Sequence, residues 1–362
     1  MTQMRIRLAR GEDLDAIFDL ARQAGPGMTT LKPDRQALEA RLRISLDTIE
    51  GRAPLCVQDY LFVLEDLSCG RVVGLSAIKT AVGLDQPFYS FRLGTMVHAS
   101  KELGISNQFE TMALSNDMTG AAELCSLFLL PEYRNGTNGK LLSKCRLLFL
   151  ALFAERFPPT IMAEMRGFRR EDGVVPFWDG LIQPFFGIDF DTADALTSEG
   201  KKAFIAELMP KYPIYSALLP QPVRDVIGVV HPHTAPARRL LEQEGLSYGG
   251  YIDIFDGGPQ LQATIAELRA RREVQRFPVA LQERHGGNRE AWLVANPDLH
   301  RFSAVVSTGG PQHGRLCLSG AEARTLEIAP GEAVAAITLN PRPAVSALER
   351  PTITHHDHCH HE

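Results

Sequence analysis

The stretch that most constrains this chain is a strand, a short turn and a helix between residues 121 and 153. Glu123-Leu124-Cys125-Ser126-Leu127-Phe128-Leu129-Leu130 is a nearly continuous apolar run of strand length, closed by Pro131. A turn with Arg134, Asn135, Gly136, Thr137, Asn138 and Gly139 follows. Lys140 then leads into a helix whose Leu141, Leu142, Cys145, Leu148, Phe149, Leu152 and Phe153 make one buried stripe. Asn138 is placed to cap the first turn, and Gly136 and Gly139 let backbone amides face a ligand. Such a turn offers unpaired N–H groups and the positive end of a helix dipole, which suits a pyrophosphate. Arg134, Lys140 and Lys144 put cations on the same approach. Neither G-x-x-x-x-G-K-[ST] nor G-x-G-x-x-G occurs in the turn, so the nucleoside-triphosphate loop and the dinucleotide fingerprint are excluded. Taken alone, the stretch reads equally as an ordinary turn with surface cations.

Bulk properties narrow the class. A chain of 362 residues holds one large domain and a smaller one. A net charge of -5 gives no electrostatic case for nucleic acid or an anionic membrane. The first residues contain no apolar run long enough for a signal or a membrane span. Six cysteines without C-x-x-C spacing point to a reduced, cytoplasmic protein. Five histidines fall within residues 355–362 and would hold Zn or Ni weakly. No geometry is fixed there, so no metal site is assigned, and 346–362 reads as a disordered His-rich tail.

In chain order, 6–8 reads as a strand and 13–22 as a helix with Leu14, Ile17, Phe18 and Ala21 on one side. Residues 25–30 form a loop that either closes over a ligand or simply connects. Helix returns over 34–50, and 60–65 and 72–78 are strands joined as a hairpin. Residues 88–98 have strand character, and 99–119 read as a polar connection into the central strand. Residues 160–167 are the next strand, parallel to 122–130. Aromatic and proline spacing over 171–232 suggests a packed helical insertion, either an acyl-acceptor wall or pure packing. Thr234 caps a helix with Ala237, Leu240 and Leu241 inward and Gly245 as its stop. Residues 251–259 make a closing strand and tight turn, 261–273 a helix leading out of the core. Short strands near 291–294, 302–307, 316–318 and 334–339 form a small β-rich module.

This ordering resembles the GNAT-type acyl-coenzyme A transferases. Arg134 and Gly139 match their cofactor loop, whereas Thr137 stands where its middle glycine is expected. Thr cannot adopt a left-handed conformation cheaply, so the loop path is expected to shift locally and use Gly136. Longer strings at 94–103, 114–120, 204–215 and 251–259 resemble bacterial arginine N-succinyltransferase, and the likeness runs from residue 4 to about 340. The implied fold is α/β: a mixed, splayed sheet flanked by helices, with a helical insertion and a small C-terminal β-rich module. The domain expectation is 1–259 for the catalytic part, with the insertion at 171–232, and 260–345 for the module. The implied reaction moves a succinyl group from succinyl-CoA, a co-substrate and not a resident cofactor, to the α-amine of L-arginine. This is the first step of arginine breakdown by succinyl transfer. The resemblance further implies that His231 is the proton donor and that the backbone at Leu127 contacts succinyl-CoA. Arg134, Gly136, Thr137, Asn138, Gly139 and Lys140 then serve the coenzyme. His98 and Glu123 are further catalytic candidates, and Asn116, Asp117 and Arg166 are substrate-binding candidates.

The chemistry asks for a free amine, an oxyanion donor and a proton or hydrogen bond for the leaving thiolate. A main-chain N–H near Leu127 can be the oxyanion donor, and His231 titrates in the range for the proton. Glu123, Glu164 and Asp117 are candidate partners of a guanidinium, Arg166 or Arg92 of a carboxylate. Cys125 is weighed as an acyl-carrying nucleophile. It lacks a local base and shares a strand face with Glu123, which raises a thiol pKa and favours direct attack by the amine. An ornithine or other amino-acid acyltransferase, one using acetyl-CoA, and a non-catalytic subunit of a paired transferase remain alternatives. A homo-oligomer, or a pair with a related subunit, is the expected assembly.

Overall fold

The computed structural model describes residues 4–25, 28, 30–198, 203–282 and 290–342, so the His-rich tail and its metal reading lie outside the described residues. Alternating and β-branched runs in the first third become a meander. β1 (Met4–Leu8), β2 (Asp59–Asp66) and β3 (Arg71–Lys79) pair antiparallel in that order. Between β1 and β2, α1 (Leu14–Ala24) turns Ile17, Leu20 and Ala21 inward. α2 (Arg35–Ile49) begins where the Asp34 carboxylate accepts the Ala37 N–H. Next come β4 (Ser90–Ser100), β5 (Ile105–Ser115) and β6 (Ala122–Leu129). The parallel crossover follows, through α3 (Asn138–Leu152) to β7 (Thr160–Glu164).

The segment at 171–232 is a packed insertion. A π-helical turn at Trp178–Ile182 leads into α4 (Gln183–Phe186), α5 (Phe190–Ser198), α6 (Ala203–Leu208), β8 (Ile214–Tyr215) and α7 (Gln221–Arg224). Phe177, Trp178, Ile182 and Val223 form its core, with Phe91 and Ile252 contributed by the sheet. α8 (Ala235–Gln243), β9 (Ser247–Asp253), β10 (Pro259–Thr264) and α9 (Arg269–Glu273) complete the body. The remaining chain forms β11 (Gln275–Leu281), β12 (Trp292–Ala295), β13 (Ser303–Ser307), β14 (Pro311–Gln312), β15 (Arg315–Leu318), α10 (Gly320–Thr325) and β16 (Ala333–Thr338). All strands join one sheet in the order β14-β15-β11-β16-β12-β13-β1-β2-β3-β6-β7-β10-β9-β4-β5-β8.

Two elements differ from the sequence reading. Residues 99–119 are not a plain connection, because β4 and β5 pair along their whole length as a projecting hairpin. Both faces of its outer part meet solvent, so the hydrophobic alternation that reveals a strand is missing. Residues 261–273 are not one helix either. Their first part belongs to β10, buried between β7 and β9, and the sheet overrides the helical spacing of Leu261, Ile265 and Leu268. A division after residue 259 would therefore cut at the first residue of a central strand. We propose that the C-terminal module starts after Thr264; it has its own apolar core around Val279, Val294, Leu316 and Val334, while β13 pairs with β1.

α3 is buried throughout 141–151 and not along one stripe, because the C-terminal segment closes over its outer side. Lys144 is part of that closure, which corrects its assignment to the coenzyme approach. Its Nζ donates to Leu339 O at 2.6 Å and lies 2.6 Å from Glu244 Oε1. Arg269 donates to both oxygens of Glu244 at 3.0 Å and to Thr338 O at 3.0 Å. One carboxylate thus neutralises two buried cations and ties α3, the end of α8, α9 and β16 together. Removing one partner of such a group leaves buried charge uncompensated. Glu244→Gln should lower the unfolding free energy by about 3 kcal/mol, read as a lower urea midpoint with an unchanged slope. A midpoint equal to that of the wild type would show that the two cations need no anion.

Candidate active site

β6 and β7 pair at Ala122↔Ile161 and Glu123↔Met162 and nowhere further. Beyond that point β7 stays with β10 and β6 stays with β3, so a wedge opens between them. A bulge in β6 shapes its wall. Register with β3 jumps from Ala77↔Cys125 to Leu75↔Phe128, leaving Ser126 and Leu127 opposite the single residue Ser76. Ser126 adopts φ 54, a left-handed conformation that costs a serine roughly 1–2 kcal/mol. Its surroundings hold it there. Ser126 N–H donates to Thr30 Oγ1 at 3.2 Å, Ser126 Oγ donates to Thr30 O at 3.1 Å, and Arg41 Nη1 donates to Ser126 Oγ at 2.9 Å. Arg41 is anchored by Asp59 Oδ2 at 2.6 Å. Burial works against its charge, but Asp59 and Cys125 together outweigh it and the guanidinium pKa rises.

Acidic groups line one side of the wedge. Asp59, Lys79 and Glu123 align across β2, β3 and β6, with Lys79 Nζ 3.8 Å from Glu123 Oε2. Glu164, at the end of β7, accepts from Gln260 Nε2 at 2.7 Å, and Gln260 Oε1 accepts from Ser90 Oγ at 2.9 Å. Burial, then Asp253 and Glu123, push the Glu164 carboxyl well above the usual carboxylate range. Asp253 and Asp256 continue the wall. Burial raises both, and Asp253 adds to the rise at Asp256. Asp256 Oδ2 accepts from Gly167 N–H at 2.7 Å and Oδ1 from Gly258 N–H at 2.8 Å. These are glycines because the chains approach too closely for a side chain: a Cβ on Gly167 would run into the backbone O of Asp256.

His231 closes the insertion against the end of β7. Its backbone N–H donates to Arg166 O at 2.8 Å, and Gly167 and Val230 form a bridge beside it. The His231 ring accepts from His233 N–H at Nδ1, 3.2 Å away. A backbone amide can only donate, so the proton of the neutral ring sits on Nε2. Burial first, then Arg166 and His233, lower the His231 pKa below its ordinary value.

The turn after β6 has the expected free amides. Gly136 takes φ 55 and Thr137 keeps φ -105, so the left-handed residue is Gly136. Among the described residues, the N–H groups of Gly136, Thr137, Gly139 and Lys140 have no protein partner. Asn138 does not cap α3. It is the first helical residue, and its Nδ2 donates to Tyr133 O at 3.0 Å. Arg134 lies over Phe128 at 5.7 Å and donates from Nε to Leu129 O at 2.9 Å. Lys140 Nζ donates to Asn340 Oδ1 at 2.8 Å.

Leu127, Glu123, Glu164, Arg166, His231 and the 134–140 turn therefore border one wedge. His98 stands apart on the exposed hairpin, with Nε2 2.9 Å from Tyr215 OH. It is six residues, roughly 20 Å of strand, beyond Arg92. Asn116 and Asp117 lie in the turn after β5. Asp117 Oδ2 accepts from Tyr251 OH at 2.8 Å and faces Arg92 Nη1 at 3.5 Å, so that acid and that base already satisfy each other. Cys125 sits on the Glu123 face, where burial and then Glu123 push its thiol up to about 11. Arg41, Ser126, Asp59 and Lys79 escaped the sequence reading, and Thr30 entered it only as part of the 25–30 loop. Arg41 lies in a helix where arginine reads as solvated surface, and only tertiary contact reveals it. Among the described residues no group of three or more His, Cys, Asp or Glu side chains is arranged to hold a metal ion, and no helix is long and apolar enough to cross a membrane.

Comparison with known proteins bears on the family and the fold. The family model described as "Arginine N-succinyltransferase beta subunit" matches residues 4–270. The arginine N-succinyltransferase of Escherichia coli O139:H28 is 47% identical over 336 residues, 93% of this chain and 98% of that protein. A protein of the same name from Shigella flexneri aligns with 47% identity over the same 93% of this chain and 98% of its own. Subunit AI of the arginine/ornithine succinyltransferase of Pseudomonas aeruginosa superposes with a TM-score of 0.85 at 33% identity, over 94% of this chain and 100% of that one. On sequence and fold together, this chain belongs to the arginine N-succinyltransferase family and has its GNAT-like acyltransferase architecture.

Proposed function

We propose that this chain transfers the succinyl group of succinyl-CoA to the α-amine of L-arginine. The observation that carries this reading is the single wedge, with free amides at one end, an acidic wall along one side and His231 against β7. The coenzyme phosphates meet the N–H groups of Gly136, Thr137, Gly139 and Lys140 at the start of α3. The pantetheine arm takes the place along β6 that β7 vacates. The thioester carbonyl then lies at the bulge, where the main-chain N–H of Leu127 receives the oxyanion. The guanidinium of arginine turns to Glu123 and Glu164. Attack of the amine on the thioester carbon forms the C–N bond and breaks the C–S bond. The amine gives up its proton to water, and the departing sulfur carries the negative charge. Neutral His231 offers Nε2–H to that charge. Its depressed pKa keeps the ring in this form at neutral pH, a tuning that places a hydrogen-bond donor without a second fixed cation beside Arg166.

Ornithine is the second acceptor to weigh, because the Pseudomonas neighbour is named for both amino acids and an acidic wall attracts either cation. The working form is a homo-oligomer or a pair with a related subunit, which the family's description as a beta subunit supports. The five cysteines among the described residues are all free thiols, which supports a cytoplasmic setting. Release of coenzyme A thiol on mixing the protein with succinyl-CoA and arginine tests the reaction. Acetyl-CoA and ornithine serve as the competing donor and acceptor. Thiol release that ignores the acceptor, or none at all, would remove the transferase reading.

His231→Asn preserves an oxygen able to accept the His233 N–H but lacks the Nε2 donor. It should slow single-turnover transfer by about 10²- to 10³-fold, the worth of one donor at a developing charge, with substrate affinities retained. A His231-dependent limb in the wild-type pH profile should lie below the ordinary histidine pKa, because the ring gains its proton only under more acidic conditions. Wild-type turnover in the mutant would reduce His231 to a turn residue.

Cys125→Ser separates direct attack from an acyl-enzyme route. A thiol held up to about 11 is protonated at neutral pH, so the substitution should change kcat by no more than about threefold, far less than loss of a nucleophile costs. Trapping of a succinylated Cys125 by acid quench and mass spectrometry would overturn the direct route.

A further inference from the structure

Among the described residues, the cations near the wedge other than Arg166 already have partners: Arg134 donates to Leu129 O and Lys140 to Asn340 Oδ1. Arg41 is paired with Asp59, Arg92 with Asp117, Lys79 with Glu123 and Lys144 with Glu244. Arg169 donates to Gly173 O at 2.8 Å and lies 3.8 Å from Asp191 Oδ1. Arg166 is half-buried. Among the described residues its guanidinium makes no hydrogen bond, ion pair or aromatic contact, and the backbone O alone is used, by His231 N–H. Leaving a partly desolvated guanidinium without an anion is costly, and proteins tolerate it where a ligand supplies the anion.

Resting on the transfer reading above, we propose that Arg166 is the receptor for a substrate carboxylate and thereby a specificity determinant of the reaction. Arg166 sits on the segment that follows β7 and is joined through its backbone to the residue offered to the leaving sulfur. The succinyl carboxylate is two methylenes from the thioester carbon, and the α-carboxylate of arginine is one carbon from the attacking nitrogen. Either lies within the span of a guanidinium placed there, whose planar fork binds carboxylate in two parallel hydrogen bonds. Electrostatics agree: burial, then Arg169, lower the Arg166 pKa. Asp256, the acid it faces, is itself raised by burial and Asp253 and neutralises it poorly.

The test compares the wild type with Arg166→Met and Arg166→Lys by calorimetric binding of succinyl-CoA and acetyl-CoA, then of L-arginine and argininamide with coenzyme A present. Arg166→Met should erase a preference of about 10²-fold for the carboxylate-bearing member of one pair, and Arg166→Lys should restore part of it. Loss on the acyl side assigns the succinyl carboxylate; loss on the acceptor side assigns that of arginine. Preferences unchanged from wild type on both sides would overturn the proposal. Thermal unfolding is the second readout. An unpaired cation contributes nothing to the folded state, so Arg166→Met should melt at or above the wild-type temperature. A marked drop would reveal a structural role and also overturn it. Binding needs no turnover, so a wild-type protein that binds but releases no thiol would refute the transferase reading and leave the Arg166 result standing.

Discussion

The architecture of the wedge depends on one buried ion pair. Arg41, fixed by Asp59, holds Ser126 in its left-handed conformation together with Thr30. Without that anchor, β6 would relax toward a regular ladder with β3, and Ser126 and Leu127 would no longer share one partner residue. The bulge re-aims the Leu127 main chain, and the loss of pairing after Glu123 and Met162 leaves an edge of β6 without β7. An acyl-CoA arm needs both features: backbone groups to bond to and a gap in which to lie. The same buried face carries Asp59, Lys79 and Glu123 in register, so the scaffold that sets the bulge also begins the acidic wall. Structure and chemistry share residues here, which makes this face intolerant of piecemeal change.

Much of this was legible in the chain because local rules and tertiary context agreed. The apolar run of β6 and the free amides of the turn read correctly on spacing alone, whereas the single stripe expected of α3 gave way to burial on all sides under the C-terminal segment. The displacement of the left-handed position onto Gly136 followed from the cost of placing Thr137 there. The legible part ends where a signal depends on distant partners. β5 has no apolar alternation because neither face of the outer hairpin is covered. β10 is a strand because β7 and β9 flank it, not because of its own pattern. Lys144 is indistinguishable by sequence from a phosphate-binding lysine until Glu244, a hundred residues later in the chain, is seen beside it. Asn138 loses the capping role because Thr137 already occupies that position and Tyr133 O claims its amide. Arg41 and Arg166 are opposite cases of one limit: an arginine's meaning is set by whether an acid waits for it, and composition does not say.

Withdrawing Lys144 from the coenzyme approach changes the physics expected of that end of the wedge. Lysine side chains on a surface attract phosphate through charges that salt screens. Backbone amides at Gly136, Thr137, Gly139 and Lys140 act as short-range, pre-oriented donors, and their value depends on geometry more than on ionic strength. Arg134, held over Phe128 and tethered to Leu129 O, is partly organised before any ligand arrives, so little side-chain entropy remains to be lost on binding. At the other end the groups are sorted by sign. On the proposed reading, the acidic groups of Glu123 and Glu164 face the route for a cationic side chain, Arg166 awaits an anion, and His231 stays neutral beside it. A substrate pair bearing one guanidinium and two carboxylates, one on each partner, can match that pattern in a single orientation. On that reading, a smaller acyl donor or an uncharged acceptor would leave at least one of these groups without its counterpart, and selectivity would arise from that unpaired group.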